Sequence, residues 1–305
     1  MNQQPPYDAV IIGGGPAGLT CAIFLGRYRR RVLLIDAGKP RNYATKAIHG
    51  FLGHHDISPS DLLARGRSEA KSVGVEFADD HVTRVQRDGD LFCLTTAQQG
   101  DIQARRVVLA YGVRDTLPDI PKIEEYYGRT VHHCPDCDGF ECRDQRIGII
   151  GWGKGVVGLA LKLLQWSDDL VIFTHGEERQ WDEEEQSKLL AEQITVKAER
   201  IIALEGDDGK VRGAVLESGE CVPLQRIFFN IRVERSCLLA EDLGCVVDPK
   251  RPDIEVNEHR RTSIDGVWAI GDLVPGAQLV ITSAADGAIA AIDINKSLLP
   301  PSRTL

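Results

Sequence analysis

No apolar run in the 305-residue sequence approaches the ~20 residues that a membrane-spanning helix requires. The opening stretch, MNQQPPYDAV, has neither a basic flank nor an apolar core, so it does not read as a secretory leader. Positive charge is in deficit. Lys and Arg number 36 against 45 Asp and Glu, a formal net charge of −9. A nucleic-acid surface needs a basic face, so no such partner is expected. The one basic run, Arg27-Tyr28-Arg29-Arg30-Arg31, reads as the solvated end of a helix, where cations suit the negative end of the dipole. These absences predict a cytoplasmic protein with no membrane and no nucleic-acid partner. The mix of 43% hydrophobic and 27% charged residues suits a globular chain of one large domain or two ordinary ones.

Tyr7 to Pro40 carries the clearest pattern. A buried strand is predicted over Ala9 to Ile12, a glycine turn at Gly13-x-Gly15-x-x-Gly18, a helix from Ala17 to Tyr28, and a strand from Val32 to Ile35 ending in Asp36. Gly13 permits the tight turn, Gly15 lets a pyrophosphate approach the backbone, and Gly18 lets helix pack on strand. The helix N-terminus supplies N–H groups and positive dipole. Asp36 stands 36 − 18 = 18 residues past the last glycine, where a carboxylate can accept from ribose hydroxyls.

A second unit repeats the order. It reads strand (Ile147 to Ile150), turn (Gly151-Trp152-Gly153), helix (Val156 to Trp166), strand (Leu170 to Phe173). Val156 occupies the third glycine position, and its branched side chain is expected to push helix and strand apart. Near the C-terminus a strand, Val267 to Ile270, ends at Gly271-Asp272, and a helix follows from about Leu279 to Ile294.

Three of the eight cysteines lie in HHCPDCDGFEC, residues 132–142. In a cytoplasmic setting thiols stay reduced, and a close pair is more often catalytic or metal-binding than structural. On residue types alone the stretch permits a metal site, a structural disulfide or a redox dithiol. Zinc takes four N/S ligands, which Cys134, Cys137 and Cys142 with His132 or His133 would supply. Cys142 also reads as a small apolar residue opening the next strand, and Cys21 as core of the first helix. Cys93, Cys221, Cys237 and Cys245 read as buried small residues.

Together these pieces resemble the low-molecular-weight thioredoxin reductase family of flavoproteins over nearly the whole chain. The resemblance rests on Gly13 to Gly18, on Cys134-Pro135-Asp136-Cys137-Asp138-Gly139-Phe140 ahead of the second turn, and on Gly271-Asp272 with Gln278. It implies an α/β fold of two Rossmann-like domains. A discontinuous FAD domain (1–117 and 246–305) would receive an inserted NAD(P)-type domain (118–245), with crossings near Val113 to Pro121 and Gly244 to Pro249. It implies FAD held by Gly13, Gly15, Pro16, Ala17, Gly18 and Asp36, and by Gly271, Asp272 and Gln278. It implies a homodimer whose inserted domain rotates. It makes Cys134 and Cys137 a redox dithiol rather than a metal site. Cys137 would face the flavin, Cys134 would exchange with the partner, and Asp138 would donate the proton. A carboxyl does that near neutrality only where burial holds its proton.

The chain departs from the family in two places. NADPH-dependent members carry a Gly-Gly-Gly-Asp-Ser-Ala type turn and a His-Arg-Arg cluster. Here stand Gly151-Trp152-Gly153-Lys154-Gly155-Val156 and His175-Gly176-Glu177-Glu178-Arg179. Each lost charge-assisted hydrogen bond is worth about 1.5–3 kcal/mol, so NADPH is doubtful. The second nucleotide site is degenerate and is expected to be vacant or to hold another nucleotide such as a second flavin. Relatives lacking these motifs take electrons from ferredoxin or through a second flavin. The stretch Arg41 to Leu63 resembles the branch with dithiol oxidases, which pass electrons from small dithiols to oxygen. That analogy puts His49 near the isoalloxazine. The expected function is an FAD-dependent disulfide oxidoreductase acting with a thioredoxin-like protein or a small dithiol/disulfide, the alternatives being a small-molecule dithiol oxidase using oxygen and an ordinary NAD(P)H-dependent thioredoxin reductase.

Overall fold

The computed structural model describes residues 5–303 and divides into two compact units. The first holds the chain up to Tyr43, Phe51–Arg114 and the chain from Val233 onward; the second holds Ala44–Gly50 and Asp115–Arg232.

The first unit is built on β1 (Ala9–Ile12), α1 (Pro16–Arg27), β2 (Val32–Asp36), α2 (Pro59–Ser72) and β3 (Glu76–Asp79). Five parallel strands lie in the order Val267–Ala269, Val107–Leu109, β1, β2, β3. All four residues of β1 are buried, which is why the run reads as continuously apolar rather than alternating. A three-stranded antiparallel sheet, Val82–Asp88, Leu91–Thr96 and Gly100–Ala104, accompanies it. Helix α1 buries Gly18, Cys21, Ala22 and Leu25, the stripe of a 3.6-residue period. The last long helix of this unit, Val280–Ser297, crosses α1 closely at Gly287, where a Cβ would stand 2.3 Å from the Ala17 carbonyl oxygen. The basic run after α1 is not merely solvated. Arg30 Nε donates to Asn295 Oδ1 at 2.9 Å and so ties α1 to the Val280–Ser297 helix.

That helix also carries a buried carboxylate, Asp293. Its Oδ2 accepts from Trp268 Nε1 at 3.0 Å and from Arg261 Nε at 2.5 Å. Burial alone would raise the Asp293 pKa, but the Arg261 and Trp268 hydrogen bonds outweigh it and hold the carboxyl below its usual value. A group held low contributes stability above its unfolded pKa, and that contribution is lost as pH falls through the folded value. Asp293→Ala is therefore expected to lose about 1–3 kcal/mol at pH 7, from the orphaned Trp268 N–H and the broken ion pair. The gap between variant and parent should narrow as urea melts are repeated downward through the carboxylate range. A constant gap would contradict this account.

The second unit repeats the plan. Its parallel sheet runs Thr195–Lys197, Leu170–Phe173, Ile147–Ile150, Arg226–Phe229, Val131–His132. Its antiparallel sheet is Ile201–Asp207, Lys210–Leu216 and Cys221–Pro223. The chain passes between units in Val113–Thr116 and Arg232–Arg235, two strands that pair with each other.

The second compact unit ends at Arg232, and Leu239, Ala240 and Cys245 pack in the core of the first, whereas the resemblance implies an inserted domain of 118–245. Two expectations need correction. Cys142 ends a 3₁₀ turn, Phe140–Cys142, and does not open a strand. Cys221 is exposed on an edge strand, and Cys93 and Cys237 are only half-buried, whereas Cys21 and Cys245 are buried as expected. No helix among the described residues is long and apolar enough to cross a membrane.

Candidate active site

The first glycine turn joins β1 to α1. Gly13 has φ +113, and a Cβ there would lie 2.3 Å from the Ala110 carbonyl oxygen, so glycine alone fits. A Cβ on Gly18 would meet the Gly13 carbonyl oxygen at 2.0 Å, which is the close helix–strand contact expected of that position. At Gly15 a Cβ would meet nothing within 4 Å. Gly15 is also the N-cap of α1, follows the extended region and makes no side-chain cap, and Pro16 and Ala17 open the helix. The first-turn amides are thus left for a ligand in open space.

Asp36 ends β2 with its carboxylate packed against Gly14. Its Oδ1 accepts from the Gly38 N–H at 3.1 Å and its Oδ2 from Arg67 Nη1 at 2.8 Å. The second cluster of this unit centres on Asp272, whose Oδ2 accepts from Arg41 Nη1 at 2.9 Å and whose Oδ1 accepts from Ser283 Oγ at 3.2 Å. Arg41 also donates to Gln278 Oε1 at 2.8 Å, and Gln278 Nε2 donates to the Asp272 carbonyl at 3.2 Å. Gly271 has φ +73, and its N–H donates to Asp286 Oδ2. Sequence reasoning missed Arg41 and Arg67. Nothing local marks them, since the Arg41 partners lie 231 and 237 residues away.

In the second unit Cys134 and Cys137 are joined as a disulfide. Cys134 is the N-cap of a single helical turn, Pro135–Asp138, and its Sγ accepts from the Cys137 N–H at 3.2 Å. The turn sits against Trp166 at Gly139, where a Cβ would come within 2.6 Å of the indole. Among the described residues no group of three His, Cys, Asp or Glu side chains is arranged to hold a metal ion.

Asp138 lies between two imidazoles. His132 Nδ1 is 3.4 Å from its Oδ2, and His49 Nδ1 is 3.7 Å from its Oδ1. His132 is buried and stacked beside Phe228. His49, expected beside a flavin ring, groups with the second unit, and its Nδ1 lies 2.9 Å from the Cys137 carbonyl oxygen. Glu141 Oε2 is 3.6 Å from the same nitrogen. His49, His132, Asp138 and Glu141 all line one open cavity of about 890 Å³.

In the second glycine turn a Cβ on Gly153 would meet only Gln180 Oε1, at 4.0 Å, so the middle of this turn is open as it is at Gly15. Val156 is fully buried, and its Cγ2 would lie 2.6 Å from a Cβ on Gly151. The branched side chain packs beside Gly151, which has no Cβ to meet it. A Cβ on Gly155 would meet the Asn230 side-chain amide at 2.8 Å. His175 is buried, and its Nδ1 accepts from the Ile201 N–H at 3.1 Å. Burial, with the Arg200 charge second, holds its pKa below the usual value, so it is neutral at pH 7. Arg179 is bound to Gln186 and Glu183, and Arg200 to Asp119. Glu177 and Glu178 are exposed.

Two Rossmann-like units, one with an open glycine turn and one with a Cys-x-x-Cys disulfide, define the class: a nucleotide-dependent disulfide oxidoreductase. The chain belongs to the pyridine nucleotide-disulphide oxidoreductase family, whose model matches residues 7–287. Within it the chain is an enzyme of the thioredoxin reductase-like, flavin-dependent kind, and the family implies FAD. It is 31% identical to a probable thioredoxin reductase of Arthroderma benhamiae, over 88% of this chain and 76% of that one. It is similar to the crystal structure of HlmI, with TM-score 0.91 and 38% identity over 98% of this chain and 94% of that one. It is also similar to a putative thioredoxin reductase from Bacillus anthracis, with TM-score 0.89 and 30% identity over 96% and 98% of the two chains.

Proposed function

We propose that the enzyme exchanges two electrons between FAD, the Cys134–Cys137 pair and an external dithiol/disulfide, with a thioredoxin-like protein as partner and without NADPH as the physiological donor. The observation that carries this reading is the Cys134–Cys137 disulfide followed at once by Asp138. Gly13, Gly15, Pro16, Ala17, Gly18 and Asp36, with Gly271, Asp272 and Gln278, are the residues that would hold FAD. The open space at Gly15 and the uncapped α1 amides support that fit. FAD supplies a two-electron acceptor and donor. The remaining chemistry belongs to the chain. Cys134 is the exchanging thiol, and the Cys137 N–H is a donor that favours its thiolate once the disulfide opens. Cys137 is the thiol that communicates with the flavin. Asp138 gives or takes the proton. The buried Val156, the inward-turned His175 and the exposed Glu177 and Glu178 speak against NADPH. By the same reading the enzyme is a homodimer, and its second nucleotide site is vacant or holds another nucleotide.

The test is an anaerobic titration of the flavin spectrum with NADPH, NADH, reduced ferredoxin, a reduced thioredoxin and small dithiols in turn. Reduction by a dithiol is expected in the parent and not in Cys137→Ser. Flavin reduction by dithiol in Cys137→Ser at the parent rate would refute the role of the pair.

A further inference from the structure

We propose that His49 is a proton carrier between Asp138 and the cavity, with Glu141 as its counter-charge and His132 as the residue that orients Asp138. This rests on the functional reading above and adds the route by which its protons move.

Exchange with an external dithiol fixes what must move. One external thiolate attacks Cys134 Sγ, the Cys134–Cys137 bond breaks, and Cys137 leaves as a thiolate. The second external thiolate then breaks the mixed disulfide and releases Cys134. The external dithiol is oxidised and gives up two protons, and the cysteine pair is reduced and takes up two. The count closes, and each proton must travel between solvent and the partly exposed turn Pro135–Asp138.

Asp138 shares the cavity with both imidazoles. Its two oxygens face His49 and His132, and each imidazole is a different kind of neighbour. His132 is buried against Phe228, so it can hold the carboxyl but has little freedom to carry a proton away. His49 comes from a short segment, Ala44–Gly50, that threads into this unit. The Cys137 carbonyl lies 2.9 Å from its Nδ1, and a carbonyl can only accept, so Nδ1 carries the hydrogen. In the neutral ring Nε2 is then the unprotonated nitrogen. A proton taken up at Nε2 makes the imidazolium, and the Nδ1 proton can pass to Asp138 Oδ1 at 3.7 Å. That distance exceeds a hydrogen bond, as such contacts often do before the reactive complex forms. Glu141 Oε2, 3.6 Å from the same nitrogen, offsets the positive charge while it lasts. The cavity of about 890 Å³ gives water access to the whole group, and its wall also carries Lys46, Arg129, Lys210, Arg212 and Arg226, with Asp207 and Asp208.

The experiment reads the cysteines themselves. The oxidised holoenzyme is mixed with dithiothreitol, quenched in acid, and the freed thiols are alkylated and counted by mass. His49→Gln keeps a donor for the Cys137 carbonyl but cannot carry a proton. It is expected to slow exchange on the order of 10²-fold, the low end of general acid–base effects. His49→Ala should be slowed likewise and be accelerated by added imidazole, which the cavity can admit. His49→Gln at the parent rate, or His49→Ala that imidazole does not accelerate, would overturn the proposal. Should the His49 variants not fold, Glu141→Gln carries the test, slowed exchange supporting the relay and unchanged exchange refuting it. A parent disulfide inert to dithiothreitol would instead overturn the functional reading itself.

Discussion

Mixed with sub-millimolar NADPH in a stopped-flow instrument, the oxidised FAD-loaded enzyme is expected to keep its yellow absorbance for minutes. A median enzyme turns over in about 0.1 s, so the expected deficit is several orders of magnitude. Two physical causes add. The turn at Gly151 to Val156 has a buried valine where a third glycine would stand and the Asn230 amide against Gly155, although Gly153 is open. With that glycine replaced and an amide beside the helix start, a pyrophosphate is expected to be held less well. At the 2′-phosphate end, His175 is neutral and turned inward, and its ring nitrogen is committed to Ile201. Arg179 and Arg200 already hold carboxylates, while Glu177 and Glu178 repel an arriving phosphate. NADH escapes the second cause but not the first, so it should also be slow. Bleaching by NADPH within about 0.1 s would overturn the expectation.

Asp138→Asn is expected to slow dithiol–disulfide exchange by about 10²–10⁴-fold, the range for a positioned acid–base group, while FAD stays bound. The amide keeps the shape of the carboxyl and can still face His132 and His49, so the turn Pro135–Asp138 should hold. What is lost is the proton. FAD retention is a suitable control, because Gly13 to Gly18, Asp36, Gly271, Asp272 and Gln278 belong to the other unit. The measurement is flavin reduction by a dithiol, followed anaerobically against the parent. Unchanged kinetics would reduce Asp138 to a structural residue of the turn.

What was legible in the sequence was what is local. The strand Ala9–Ile12 and the strands Ile147–Ile150 and Leu170–Phe173 have the expected bounds, because a strand buried on both faces is a run of apolar residues and little else. The first glycine turn was equally plain, since only glycine accepts φ +113 beside the Ala110 carbonyl. The Cys-x-x-Cys spacing identified a pair able to bond but left its chemistry open. Helix ends shifted by one to three residues, as with Gly155–Leu163 in place of Val156 to Trp166, because ends depend on caps and not on the apolar stripe.

Tertiary structure alone decided the rest. Arg41 meets Asp272 across 231 residues, and His49 meets the Cys137 carbonyl across 88. No periodicity encodes such pairs. Val156, at a glycine position, packs beside Gly151, whose lack of a Cβ leaves it room. The histidine of the second unit's charged cluster, His175, is buried with its ring nitrogen accepting from the Ile201 N–H, a contact 26 residues away. Local sequence sets backbone preference and apolar pattern, which act over a few residues. Which polar groups meet, and which are already satisfied, depends on where distant segments are brought by burial of the core, and that is a property of the folded chain.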